Sequence, residues 1–155
     1  MFTHGIVSSA LFIVVGMIYL RHNTRLIYYY QGLYHIYPVM ASFFFIFILG
    51  NFGFPGTGGF IGEFLILLSL FQKDFFIGVI SIISIFFSAI YSLLLYTRVF
   101  FGINLQNPII NYSCNPSLTF LEFMVLLFFG FFSIQTGIFP GIYLSFLERL
   151  VVSLI

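Results

Sequence analysis

Apolar residues run almost unbroken through four stretches, 2–20, 39–71, 75–101 and 117–139, and polar residues gather in the short segments between them. A helix that crosses a hydrocarbon core about 30 Å thick needs about 20 apolar residues, so each stretch predicts a membrane span. The second is too long for one straight helix. At about 1.5 Å per residue it would run about 50 Å, so it must tilt steeply or break. The run Asn51-Phe-Gly-Phe-Pro-Gly-Thr-Gly-Gly59 supplies the break, with Gly53, Gly56, Gly58, Gly59 and Pro55 together. Proline removes a backbone donor and glycine is a poor helix former, so two half-helices are expected, 39–50 and 60–71. Irregular backbone at membrane depth survives only where protein or a wet cavity satisfies its freed N–H and C=O groups, and such broken helices recur at transporter ion sites. The expected fold is therefore all-α, a single-domain polytopic transmembrane helix bundle over residues 1–155 with four spans, the second broken. The tail, 140–155, reads as an interfacial helix around Glu148 and Arg149.

Composition supports the membrane reading and removes other classes. Of the 155 residues, 61% are hydrophobic and 6% charged, with five Lys or Arg against four Asp or Glu. That balance excludes an ordinary soluble domain, a basic nucleic-acid-binding face and an acidic tail. A single cysteine, Cys114, excludes a disulfide framework and a Cys-based metal site within the chain. Arg21 and Arg25 follow the first span and Arg98 ends the third, whereas Lys73 sits beside Asp74 and Arg149 beside Glu148. The positive-inside rule then puts 21–38 and 102–116 on the inner side and both termini outside. The Asn111-Tyr-Ser113 sequon falls on the side where it would not be glycosylated. Neither a cleavable signal nor an Arg-rich presequence is evident, which suits synthesis inside the organelle the protein serves.

Glu63 is the only formally charged residue between Val39 and Phe71, and it lies about 13 Å along a helix from Gln72, near the bilayer midplane. Inserting an ionisable group there costs at least about 2.5 kcal/mol, so it is expected to face a partner or a water path. A carboxyl in that position can accept and release a proton; the alternative is a hydrogen bond that serves packing alone. His4 lies in the outer half of the first span beside Gly5, Ser8 and Ser9, and is either a relay element or a packed ring. His22 and His35 fall in the inner loop and read as solvated. Arg98 and Glu122 lie near the inner ends of the third and fourth spans, where they form an ion pair with each other or snorkel separately to the headgroups. Ser81, Ser84 and Ser88 share one face of the third span and read as helix packing. Gly56-Thr-Gly58 lacks the third glycine of the dinucleotide fingerprint, and the histidine spacing suits no metal.

From Gly53 to Phe64 the sequence GFPGTGGFIGEF closely resembles the antiporter-like subunit 4 family of respiratory complex I, the NADH:ubiquinone oxidoreductase. His4 to Phe12 resembles the family's eleventh transmembrane helix, Arg21 to Arg25 the loop after it, Tyr91 to Gly102 the end of the thirteenth, and Ile138 to Pro140 the exit of the last. The resemblance implies an antiporter-like fold of fourteen helices with two inverted repeats, of which this chain matches helices eleven to fourteen. It implies that Glu63 is the terminal carboxylate of the second half-channel, on the broken twelfth helix, and that His4 belongs to the polar axis leading to it. The sister subunits 2 and 5 usually place lysine at the Glu63 position. The ionisable groups of the family's fifth, seventh and eighth helices are absent, so the resemblance implies the C-terminal product of a split gene, with a separate N-terminal polypeptide as partner; a truncated chain is the competing explanation. It further implies a proton-translocating membrane-arm subunit of the mitochondrial inner membrane, in contact with other antiporter-like and accessory subunits and with the lipid bilayer. NADH, FMN, iron–sulfur clusters and ubiquinone would be bound by other subunits, and no cofactor or metal by this chain. The other readings are a scaffold of membrane-arm helices without a proton role, and a fragment of a related cation/proton antiporter or membrane hydrogenase.

Overall fold

The computed structural model describes residues 1–102 and 118–154. Cys114, the Asn111–Ser113 sequon and nearly all of the expected inner loop 102–116 lie outside the described residues, as does the side chain of Glu148. Six α-helices and two short 3-10 turns form the described structure, with no strand among those residues. Helix α1 is Phe2–His22, α2 Pro38–Asn51, α3 Gly58–Lys73, α4 Phe75–Phe100, α5 Phe120–Ile138 and α6 Pro140–Leu154. Three of these, α1, α4 and α5, are long and apolar enough to cross a membrane, and α2 is a shorter apolar helix.

Local chemistry sets the helix ends. Asn23 closes α1 in the left-handed conformation that Asn tolerates, its N–H donating to Tyr19 O at 2.7 Å. Pro38 opens α2 at the first turn, where a missing N–H costs nothing. Asp74 stops α3 and caps α4 by accepting the Phe76 N–H at 3.0 Å, so the two helices form a tight antiparallel hairpin. Thr119 and Glu122 open α5 with a reciprocal capping box: the Glu122 N–H donates to Thr119 Oγ1 and the Thr119 N–H donates to Glu122 Oε2.

The core lies where α1 crosses α2. Val7, Ala10, Val14 and Met17 form one helical stripe on α1, packed with Met40, Ala41, Phe44, Phe47 and Ile48 of α2 in a single buried cluster. Leu126 of α5, Tyr96, Val99 and Phe100 of α4, Ile18 of α1 and the loop residues Tyr30, Leu33 and Tyr37 also belong to it. Helix α5 packs on α1, α2 and α3, whereas α4 packs on α3 and α2.

That arrangement corrects the expected Arg98–Glu122 ion pair. Glu122 pairs with Arg21, whose Nη2 donates to Glu122 Oε2 at 2.7 Å, because the start of α5 lies against the end of α1 and not against α4. Among the described residues Arg98 is exposed and has no acidic partner. The 21–38 segment is less solvated than expected, since His22 is only 8% exposed and stands edge-on to the Tyr30 and Tyr37 rings, although His35 is exposed. The Arg21 guanidinium also lies over the Tyr37 ring at 5.4 Å. One ion pair thus joins α1, α5 and the connecting loop.

Glu122→Ala removes both the capping acceptor and the partner of Arg21, and should cost about 2 kcal/mol. Glu122→Gln keeps the capping acceptor and should cost less. Thermal loss of helical signal in detergent measures both; equal midpoints for the wild type and the alanine variant would contradict this account.

Candidate functional site

The break between α2 and α3 spans residues 52–57 and makes its own hydrogen bonds. The Phe54 N–H donates to Leu49 O at 2.9 Å, the Thr57 N–H to Phe54 O at 3.0 Å, and the Thr57 hydroxyl to the same carbonyl at 2.8 Å. Gly53 and Gly56 have φ of +66° and +100°, which residues with a Cβ rarely adopt, and Pro55 sits between them at the exposed tip. Gly58 and Gly59 begin α3. A methyl on Gly59 would overlap the Gly50 carbonyl oxygen, so the two half-helices touch backbone to backbone. Gly137 of α5 is pressed as closely against the Gly56 carbonyl, and Thr136 crowds Gly58. Helix α5 therefore braces the break from behind.

Glu63 stands one turn into α3, and its carboxyl folds back onto Gly53, leaving no room there for a Cβ. Gly53 thus serves twice: it takes the left-handed turn that ends α2, and it clears the space that the carboxyl occupies. Glu63 also lines a groove of about 340 Å³ between α3 and α4, together with Ile66, Leu67, Leu70, Ile85, Ser81, Ser84 and Ser88. The three serines are its other polar side chains. Their role in lining the carboxyl's groove was not anticipated from the pattern of small residues on α4. The hairpin register would have revealed it: Glu63 lies ten residues before Lys73, and Ser84 ten after Asp74.

His4 is not brought to Glu63. It is exposed on the first turns of α1 and does not line the groove, while its neighbour Thr3 faces Gly58 at the start of α3. Arg21 and Glu122 form a second polar locus at the opposite end of α1 from His4. Between the two loci the α1–α2 interface is filled by Ala10, Val14, Phe44 and Phe47, all of them apolar and buried. Among the described residues no three His, Cys, Asp or Glu side chains converge as metal ligands.

The described structure is a helical membrane bundle with a broken helix and one carboxyl folded onto the break, and broken helices of this kind recur at the ion sites of membrane transporters. Residues 1–94 match the model of the family described as NADH:quinone oxidoreductase/Mrp antiporter, TM, and the chain belongs to that family. It is 41% identical over 148 residues to NADH-ubiquinone oxidoreductase chain 4 of Acanthamoeba castellanii, covering 96% of this chain. It is 39% identical to the Marchantia polymorpha chain 4 and 40% identical to that of Triticum aestivum, each over the full 155 residues. The chain spans 29% of the length of the first relative and 31% of each of the other two.

Gly53→Ala combines an unfavourable φ, worth about 1 kcal/mol or more, with a methyl placed on the Glu63 carboxyl. Gly62→Ala, one residue from Glu63, adds a methyl into open space. Infrared difference spectra of the carboxyl stretch should therefore shift in Gly53→Ala and stay unchanged in Gly62→Ala; an unshifted band in Gly53→Ala would refute the contact.

Proposed function

We propose that this chain supplies part of a proton half-channel in the membrane arm of an NADH:ubiquinone oxidoreductase, with Glu63 as the group that takes up and releases the proton. The observation that carries this reading is the Glu63 carboxyl folded onto Gly53 of the break and opening on a serine-lined groove. Membership of the antiporter family and the chain 4 relatives support it. In the cycle, the Glu63 carboxylate accepts a proton from the buried side and forms an O–H bond. It then gives that proton to water in the groove and returns to the carboxylate.

His4, about five turns of helix from Arg21, is assigned a secondary place on the same path, reached through residues beyond this chain. The ionisable groups needed to complete the path come from helices corresponding to the part of the relatives' length that this chain does not span. The redox chemistry, with NADH, FMN, iron–sulfur clusters and ubiquinone, belongs to other subunits of the assembly. The location is the mitochondrial inner membrane, with Arg21, Arg25 and Arg98 on the matrix side and both termini in the intermembrane space, as the loop charges favour.

Glu63→Gln keeps the side chain's size and removes its proton chemistry. In the assembled complex it should slow proton transfer at this step on the order of a hundredfold, seen as fewer protons translocated per electron. Unchanged pumping in a fully assembled variant would leave a scaffold as the function of these helices.

A further inference from the structure

We propose that an anionic phospholipid binds in the cleft between α1 and α4, with its phosphate on Arg25 and an acyl chain laid along Gly16 and Phe12. The site does not depend on the proton reading of Glu63. Helices α1 and α4 both pack on α2, and Phe44 of α2 lines the space left between them. That space is about 490 Å³, walled by Phe12, Val15, Gly16 and Tyr19 of α1 and by Leu95 and Val99 of α4. From Phe12 to Tyr19 it follows the helix for about 10 Å, a large part of one leaflet's hydrocarbon depth of about 15 Å. Thr24 and Arg25, just beyond the end of α1, close the cleft.

Charge at the mouth selects the occupant. Arg25 is the one charged residue among those that line the cleft, and Arg98, beside Val99, is exposed at the same end of the bundle. Among the described residues neither arginine has an acidic partner, since Glu122 is held by Arg21. Arg25 lies over the Tyr19 ring at 5.0 Å, so one face of its guanidinium is held at the cleft while the N–H donors at its edge stay available. Those donors form a planar fork that fits phosphate oxygens. Next to Arg25, the side chains of Leu26, Ile27 and Tyr28 are exposed directly after the span, an apolar run at the level where headgroups meet hydrocarbon. Gly16 keeps the cleft open: a Cβ there would meet no protein atom within 4 Å, although glycine is a poor helix former. A helix seated in the cleft would have to bring an acid to Arg25. A phospholipid carries the anion and the apolar chain in one molecule, and basic sites between membrane helices favour anionic headgroups.

The test is made on the assembled complex, purified in mild detergent and reconstituted with trace phosphatidylglycerol or phosphatidylcholine carrying the same photoactivatable acyl chain. After illumination, peptide mass spectrometry locates the labelled residues. Phosphatidylglycerol should label 12–19 and 95–99 about tenfold more than phosphatidylcholine does, whereas Phe87, exposed on α4 outside the cleft, should take both probes alike. Arg25→Gln should lower the labelling of the cleft by phosphatidylglycerol about fivefold, and Arg25→Lys should keep most of it. Gly16→Leu puts a side chain into space that no protein atom occupies, and should remove labelling of the cleft by both probes in assembled enzyme. Equal labelling of the wild-type cleft by the two probes would overturn the proposal and leave an unselective lipid surface. No labelling there by either probe, with Phe87 labelled, would overturn it in favour of a helix of the assembly filling the cleft. A full preference for phosphatidylglycerol in Arg25→Gln, or undiminished labelling in Gly16→Leu, would overturn the placing of the phosphate or of the chain.

Discussion

A backbone polar group in hydrocarbon must find a partner within the protein, and the break between α2 and α3 meets part of that demand with its own turn. The carbonyls of Leu49 and Phe54 take the N–H groups of Phe54 and Thr57, and the Thr57 hydroxyl adds a third bond. Close backbone contact braces the loop, through Gly59 on Gly50 and Gly137 on Gly56. The rest of the site follows from that compact turn. A carboxyl one turn into α3 reaches back to Gly53, and the hairpin at Asp74 lays α4 alongside it.

The two polar loci do different physical work. Arg21 and Glu122, side chains 13% and 23% exposed, form a direct ion pair that also closes the capping box of α5, so both charges are spent on holding helices together. Among the described residues Glu63 has no such cation. Its surroundings are Gly53 of the break, apolar side chains and serines. The buried apolar interface of α1 and α2 lies between the two.

Much of the architecture was legible along the chain because helix length and helix breaking are local properties. The four apolar stretches, the clustering of glycine around Pro55 and the isolation of Glu63 are visible without any partner, and the half-helices end within two residues of the expected positions. Pair contacts were less legible. The expected Arg98–Glu122 pair assumed that spans adjacent in sequence are adjacent in space, but α5 packs against α1 and the charge partner is Arg21. His22 looked solvated because it follows a span directly, and it is buried because the loop folds Tyr30 and Tyr37 over it.

Sequence alone sufficed for the all-helical membrane class and the position of the break, since each depends on how many apolar residues adjoin or on which residue cannot continue a helix. Which side chains surround Glu63 depended on packing. Gly53 against the carboxyl, Ser84 and Ser88 across the groove, and Arg21 on Glu122 all arise from helices that meet at distances the chain order does not encode, because a helix can turn any face of its circumference to a neighbour.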